Sequence, residues 1–195
     1  MTAVIDTREG VVRALARAEG LADVIVRGVD LRGLDLSARV LREARFFHCD
    51  LRAVSLRAAQ LRNVLFAGCD LSEAVLDGVR LTMGLLRLQP DGDVITRLDR
   101  AALASAELSS ARFERVSLGG ADLSLARLES AELADCDLRG ARLSGAGMEL
   151  ATLRRCVLEG ADLSRARLSL ASVIDCDARG VDLRGADLTG ATLTG

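Results

Sequence analysis

Five cysteines and a single histidine are the residues of this 195-residue chain best equipped for chemistry. A thiolate can ligate a soft metal, attack an electrophile or form a disulfide. The spacing points elsewhere. Cys49 and Cys69 stand twenty residues apart, and Cys136, Cys156 and Cys176 repeat that interval. If twenty residues make one turn of a coil, each run forms a straight inward column, which cannot surround a tetrahedral ion. The odd number of thiols also argues against a disulfide framework, so they read as reduced thiols packing as small hydrophobes. His48 falls on a corner facing solvent. With no base paired to a nucleophile, no glycine loop for phosphate and no metal-ligand spacing, the expectation is a noncatalytic protein with no cofactor and no metal.

The twenty-residue interval is built from a shorter beat. Every fifth residue is apolar from Val26 to Leu86 and again from Leu98 to Leu193, and most of these are leucine. Two positions earlier, from Ala101 to Ala191, each slot holds Ala, Val or Cys, while the other positions carry Arg, Asp, Glu, Ser, Thr and Gly freely. A helix needs spacings of three and four and a plain strand needs alternation, so a strict five fits neither. Residues i and i−2 do share one face of a short extended segment. Each unit is then a brief strand followed by a corner, and four units close a square coil whose copies stack at about 4.8 Å.

The units Ala121-Asp122-Leu123, Ala161-Asp162-Leu163 and Ala186-Asp187-Leu188 carry the A(D/N)LXX pattern, and over residues 24 to 195 the chain resembles the pentapeptide-repeat family. The resemblance implies an all-β fold, a right-handed quadrilateral parallel β-helix. At the strand spacing it has about eight coils in a rod on the order of 40 Å long. The family does not fix a function.

The two runs are out of phase, because Leu86 to Leu98 is twelve residues. Removing seven residues there makes Cys69 to Cys136 sixty, which is three coils, and Phe66 to Phe113 forty, which is two. One outward loop of seven extra residues is therefore expected within Arg87 to Arg97, around Gln89-Pro90-Asp91-Gly92-Asp93, with the only proline and an Asp-Gly turn.

Residues 1–23 read as a capping helix and lead-in. Thr7 suits an N-cap, Val11, Val12, Leu15 and Ala16 give helical spacing, and Gly20 is a stop, so residues 7–19 are expected to be helical. The repeats then occupy 24–195. The last coil, with Leu183, Leu188 and Leu193, has no lid, and a homodimer through it would bury both exposed edges by symmetry. Arg39 falls in an inward slot, and a local bulge is expected to turn it outward while Val40 or Ala38 fills the space.

Hydrophobic residues make up 50% of the chain and mean hydropathy is +0.25, but charges interrupt every unit and no apolar run is long enough to span a bilayer. No secretion signal is visible, so the cytoplasm is the expected location. The 26 basic and 28 acidic residues leave a net charge of −2. Asp30, Asp50, Asp70, Asp137 and Asp177 all precede a centre in the cysteine column and stack as an acidic ladder on one face, which could imitate the phosphates of nucleic acid. Arg32, Arg52 and Arg139 follow the same centres as a parallel basic row that could pair with them. Without Trp or Tyr for stacking on bases, direct nucleic-acid binding is not expected.

Two functions stand side by side. The resemblance implies a DNA mimic that binds a type II topoisomerase, DNA gyrase, and protects it from an inhibitor. The acidic ladder would meet the enzyme's DNA-binding saddle, Gln89, Pro90, Asp91, Gly92 and Asp93 would touch it, and the dimer would supply two-fold symmetry. The alternative is a noncatalytic interaction scaffold or accessory subunit, which the near-neutral charge suits better.

Overall fold

A computed structural model describes residues 3–17, 21–80, 87–89 and 91–195. Strand β1 (Ala3–Ile5) precedes helix α1 (Arg8–Leu15) and strand β2 (Val24–Arg27). Then come β3 (Val40–Arg42), β4 (Arg45–Phe47), β5 (Gln60–Arg62), β6 (Leu65–Ala67), β7 (Arg87–Gln89) and β8 (Thr96–Arg97). The series closes with β9 (Arg112–Glu114), β10 (Val116–Ser117), β11 (Glu132–Ala134), β12 (Thr152–Arg154), β13 (Ser172–Ile174) and β14 (Thr192–Thr194). One face of the solenoid is a ten-stranded parallel ladder in the order β1-β2-β4-β6-β7-β9-β11-β12-β13-β14. Two further faces contribute the parallel pairs β3 with β5 and β8 with β10.

Each pentad repeats one local design. The centre and the residue two before it point inward: Leu123 and Ala121, for example, are 1% and 0% exposed. The Ala126 amide donates to Leu123 O at 3.0 Å across the corner, and the Leu123 amide donates to Arg142 O at 2.7 Å in the next coil. The corner residue two after the centre adopts left-handed backbone, and among the described residues twenty non-glycine residues do so. Such a conformation costs a side-chain-bearing residue about 1–2 kcal/mol, so regular hydrogen bonding along the stack must offset it at nearly every corner.

The interior is a filled column of large centres and small companions. Phe46 and Phe66 stack with ring centroids 5.0 Å apart and planes 15° from parallel. Counted along the strand face, the rungs are Val26, Phe46, Phe66, Leu88, Phe113, Leu133, Leu153, Val173 and Leu193, which is nine where eight coils were expected. β1 adds a further strand below them, with Ile5 opposite Val26.

The interruption adds up to seven residues but is divided. Phe66 faces Leu88, an offset of twenty-two, and Asp70 faces Arg97, an offset of twenty-seven. Two extra residues therefore precede Arg87 and five lie between Gln89 and Arg97. β7 stays in the sheet, so the loop is not a single seven-residue excursion, and Leu88, not Leu86, takes the register of Phe66. Leu86 and Pro90 lie outside the described residues.

The amino-terminal helix ends at Leu15, short of the expected limit at 19, and residues 18–20, with Gly20, lie outside the described residues. Thr7 caps it by accepting from the Gly10 amide at 3.1 Å. Val11 and Ala14 are its buried residues, while Val12 is exposed. Arg8 fastens the helix to the first coil by donating to Asp30 O and Arg32 O, both at 3.1 Å.

Arg39 is exposed, as expected, but without a bulge. Its amide makes the ordinary corner bond to Leu36 O at 3.2 Å, and its carbonyl accepts from the Gln60 amide at 2.9 Å. Neither neighbour fills the inward slot: Val40 is 55% exposed and Ala38 is an exposed left-handed corner. The backbone register is kept and only the side chain leaves the core.

Candidate interaction surfaces

Asp30, Asp50 and Asp70 face one another in successive coils through parallel bridges, and Asp137 and Asp177 continue the column on either side of Val157. Each Asp and the residue two after it flank an inward leucine or alanine, so both point outward. That geometry lets the pair close on itself. Arg52 donates from Nε to Asp50 Oδ1 at 2.9 Å and from Nη2 to Asp50 Oδ2 at 2.6 Å. The same two-pronged grip joins Arg32 to Asp30, Arg139 to Asp137 and Arg179 to Asp177. Between coils, Arg32 lies 3.6 Å from Asp50 and Arg52 lies 3.9 Å from Asp70. Asp70 also accepts from the Ser72 amide at 3.0 Å. The Arg32 guanidinium holds the Asp30 carboxyl down at about 2. The ladder is thus a zipper of alternating charge, with each carboxylate answered by an arginine.

The loop forms a tight turn. The Asp91 amide donates to Val94 O at 2.9 Å and the Val94 amide returns to Asp91 O at 3.1 Å, with Gly92 in left-handed backbone between them and Asp93 beside it. His48 reaches this turn, its Nε2 lying 2.9 Å from Asp91 Oδ2. Gly68 makes the approach possible: a Cβ there would lie 3.1 Å from His48 Nδ1 and 3.3 Å from Val94 O. Sequence reasoning placed His48 at a solvent corner and missed the contact, because its partner belongs to the loop rather than to the repeat. Gln89 stays in β7, in register with Ala67.

The cysteine column does more than fill space. Cys49, Cys69, Cys136 and Cys156 each donate to the centre carbonyl one coil earlier, Val26 O, Phe46 O, Phe113 O and Leu133 O, at 3.4–3.5 Å. Thr96 occupies the same column opposite Val116 and donates to Phe66 O at 3.4 Å. Burial pushes the Cys69 thiol well above its ordinary range, which suits a donor and not a nucleophile. All five cysteines are free thiols. Among the described residues no three of His, Cys, Asp and Glu are grouped to hold a metal ion, and no helix is long and apolar enough to cross a membrane.

At the carboxyl end the inward residues come to the surface. Leu183 and Leu193 are 39% and 56% exposed, and with Leu188, Val173 and Cys176 they line an apolar cavity of about 210 Å³. Leu125, Leu150 and Leu170 are also exposed, each at a left-handed corner.

No curated protein sequence matches the chain. Among solved structures, full-length QnrB1, a plasmid-mediated fluoroquinolone resistance protein, is similar with a TM-score of 0.57 and 18% identity, covering 95% of this chain and 90% of that one. HetL, a pentapeptide repeat protein involved in heterocyst differentiation regulation from the cyanobacterium Nostoc sp. strain PCC 7120, is 27% identical over 97% of this chain and 98% of its own, with a TM-score of 0.39. The QnrB1 likeness is one of fold. The pentapeptide-repeat family model matches residues 44–82 and, in overlapping stretches, 106–145, 131–169 and 151–195, so the chain belongs to the pentapeptide-repeat family.

Proposed function

We propose that this protein is a noncatalytic scaffold that docks other proteins on flat, charge-balanced faces and a second copy of itself on its last coil. The interleaving of Asp30, Arg32, Asp50, Arg52 and Asp70 carries the reading. Imitating nucleic acid calls for uncompensated negative charge at regular spacing, and here Asp30, Asp50, Asp70, Asp137 and Asp177 each meet an arginine, while Asp99 of the same face accepts from Ser117 and the Gly119 amide. On that face, shape and exposed apolar side chains are then left to do the recognising. The apolar cavity beside Leu183, Leu188 and Leu193 suits a two-fold partner of identical chemistry. A cytoplasmic setting belongs to the same proposal, since five reduced thiols persist there. Sedimentation of the wild type against Leu193→Glu tests the homodimer: a dimer that the variant converts to monomer supports it, and a wild-type monomer at high concentration removes it.

A second reading names the partner as a type II topoisomerase, DNA gyrase, protected from an inhibitor by a DNA-like rod. It draws support from the fold shared with QnrB1, a fluoroquinolone resistance protein, and from the turn at Asp91–Val94 that breaks the coils. Gyrase supercoiling is measured with and without a fluoroquinolone, using the wild type and a variant lacking residues 90–94. Rescue that weakens on loop deletion supports the topoisomerase. No effect over a wide concentration range rejects it and leaves the scaffold, whose partners a pulldown then identifies.

A further inference from the structure

Most arginines of the coils have their charge answered. Arg32, Arg52, Arg139, Arg179 and Arg184 grip the aspartate two residues before them, and Arg57, Arg112, Arg142 and Arg155 reach an acid on a neighbouring coil. Others, such as Arg45, Arg97 and Arg154, stand without an ion pair singly, but the first coils gather several of them on one face. Arg42 of β3 lies in register with Arg62 of β5, and Arg80 continues the face one coil further through its bridge to Gln60. Arg39 stands exposed at the edge of the same face. None of these four makes an ion pair among the described residues. No nearby acid closes an ion pair with them: Asp35 lies near enough to Arg39 to feel its charge, Asp23 and Glu43 occupy the adjoining corners, and Glu107, opposite Arg80, is held by Arg127 at 3.2 Å.

In-register side chains on neighbouring strands are about 4.8 Å apart at the backbone, and like charges placed directly opposite destabilise a sheet. Like charges stack elsewhere in this protein too, as in Asp30, Asp50 and Asp70, but there Arg32 and Arg52 interleave with them. Arg42 and Arg62 lack that counter-charge. Val40, 55% exposed, lies between Arg39 and Arg42 and adds an apolar contact.

We propose that Arg39, Arg42, Arg62 and Arg80, with Val40 among them, form a docking site for an acidic segment of another protein, a short extended stretch with several carboxylates and an apolar residue. Carboxylates match the guanidinium fork that this chain already uses on its own aspartates. Nucleic acid fits less well. The row spans about 10 Å along the rod, too short to neutralise a long run of phosphates. Its rim carries Asp23 and Glu43, and it offers no aromatic ring for a base. The site deepens the scaffold reading by naming one partner class, and it is remote from the carboxyl-terminal coil, so the dimer test and this one fail separately.

The probe is a short fluorescein-labelled oligo-glutamate with a central leucine, titrated at low ionic strength and followed by anisotropy. An oligo-lysine counterpart and a short DNA duplex are run beside it. The variants are Arg42→Gln/Arg62→Gln and, as a control, Arg154→Gln, another exposed arginine without an ion pair, in β12. Oligo-glutamate is expected to bind the wild type and Arg154→Gln alike and the double variant on the order of tenfold more weakly. The double variant should melt at or above the wild-type temperature, because the repulsion is gone, which excludes misfolding as the cause. Absence of oligo-glutamate binding, equal binding by the double variant, or tighter binding of duplex lost in the double variant would each overturn the proposal.

Discussion

His48 Nε2 and Asp91 Oδ2 stand 2.9 Å apart and join a corner of the second coil to a turn that the repeat does not generate. Both side chains are about two-fifths exposed, so the contact contributes under about 1 kcal/mol to global stability. Its effect is local. His48→Ala should speed amide exchange at Asp91 and Val94 several-fold while moving the melting temperature by no more than a few degrees. A large drop in melting temperature with unchanged exchange would contradict this assignment.

Phe46 and Phe66 stack inside the same stretch of solenoid, both 1% exposed. Phe66→Ala should cost about 3–5 kcal/mol, from lost burial and an unfilled cavity. A double-mutant cycle with Phe46→Leu and Phe66→Leu should give a coupling of about 0.5–1.5 kcal/mol. Denaturant unfolding measures both.

Leu150 and Leu170 are left-handed at φ 59° and 60° and largely exposed. Glycine relieves the clash between Cβ and the carbonyl, so Leu150→Gly or Leu170→Gly should raise stability by roughly 1 kcal/mol. A loss instead would mean that these leucines pack on the surface more strongly than their exposure suggests.

Asp30 and Asp187 have carboxyls held at about 2 against an ordinary 3.8, the first by the Arg32 side chain and the second by the Thr189 and Ser169 hydroxyls. Lowered values mean that the folded state prefers the ionised form. Their contribution is complete above the ordinary value and is lost as pH falls through the folded one. The melting temperature should therefore stay level from neutrality to about 4 and fall toward about 2. Asp187→Asn should remove part of that slope, measured by circular dichroism.

The repeat was legible because its signal is redundant. Leucine at every fifth position and small residues two earlier fix which side chains face inward, and the Cys49–Cys69 and Cys136–Cys156–Cys176 intervals fix the coil length independently. The pairing of Asp50 with Arg52 was also readable, since both flank the inward Leu51. The division of the interruption was not: Leu86 and Leu88 are equally acceptable as centres, and only hydrogen bonding to Phe66 and Phe113 chooses between them. β1 escaped because Ala3-Val4-Ile5 lacks the five-residue beat, and the contact of His48 with Asp91 depends on a turn whose path no periodicity describes.

The strand face repeats with a twenty-residue offset over most of its length, and its hydrogen bonds run along the rod from each coil to the next. Tension applied between the two ends therefore loads the coils in series. Each rung that yields should release about 70 Å of slack chain. Stretched from its termini, the molecule should lengthen as a staircase of equal steps, broken on either side of β7, where the offsets are twenty-two and twenty-five, and at β1, where the offset is twenty-one.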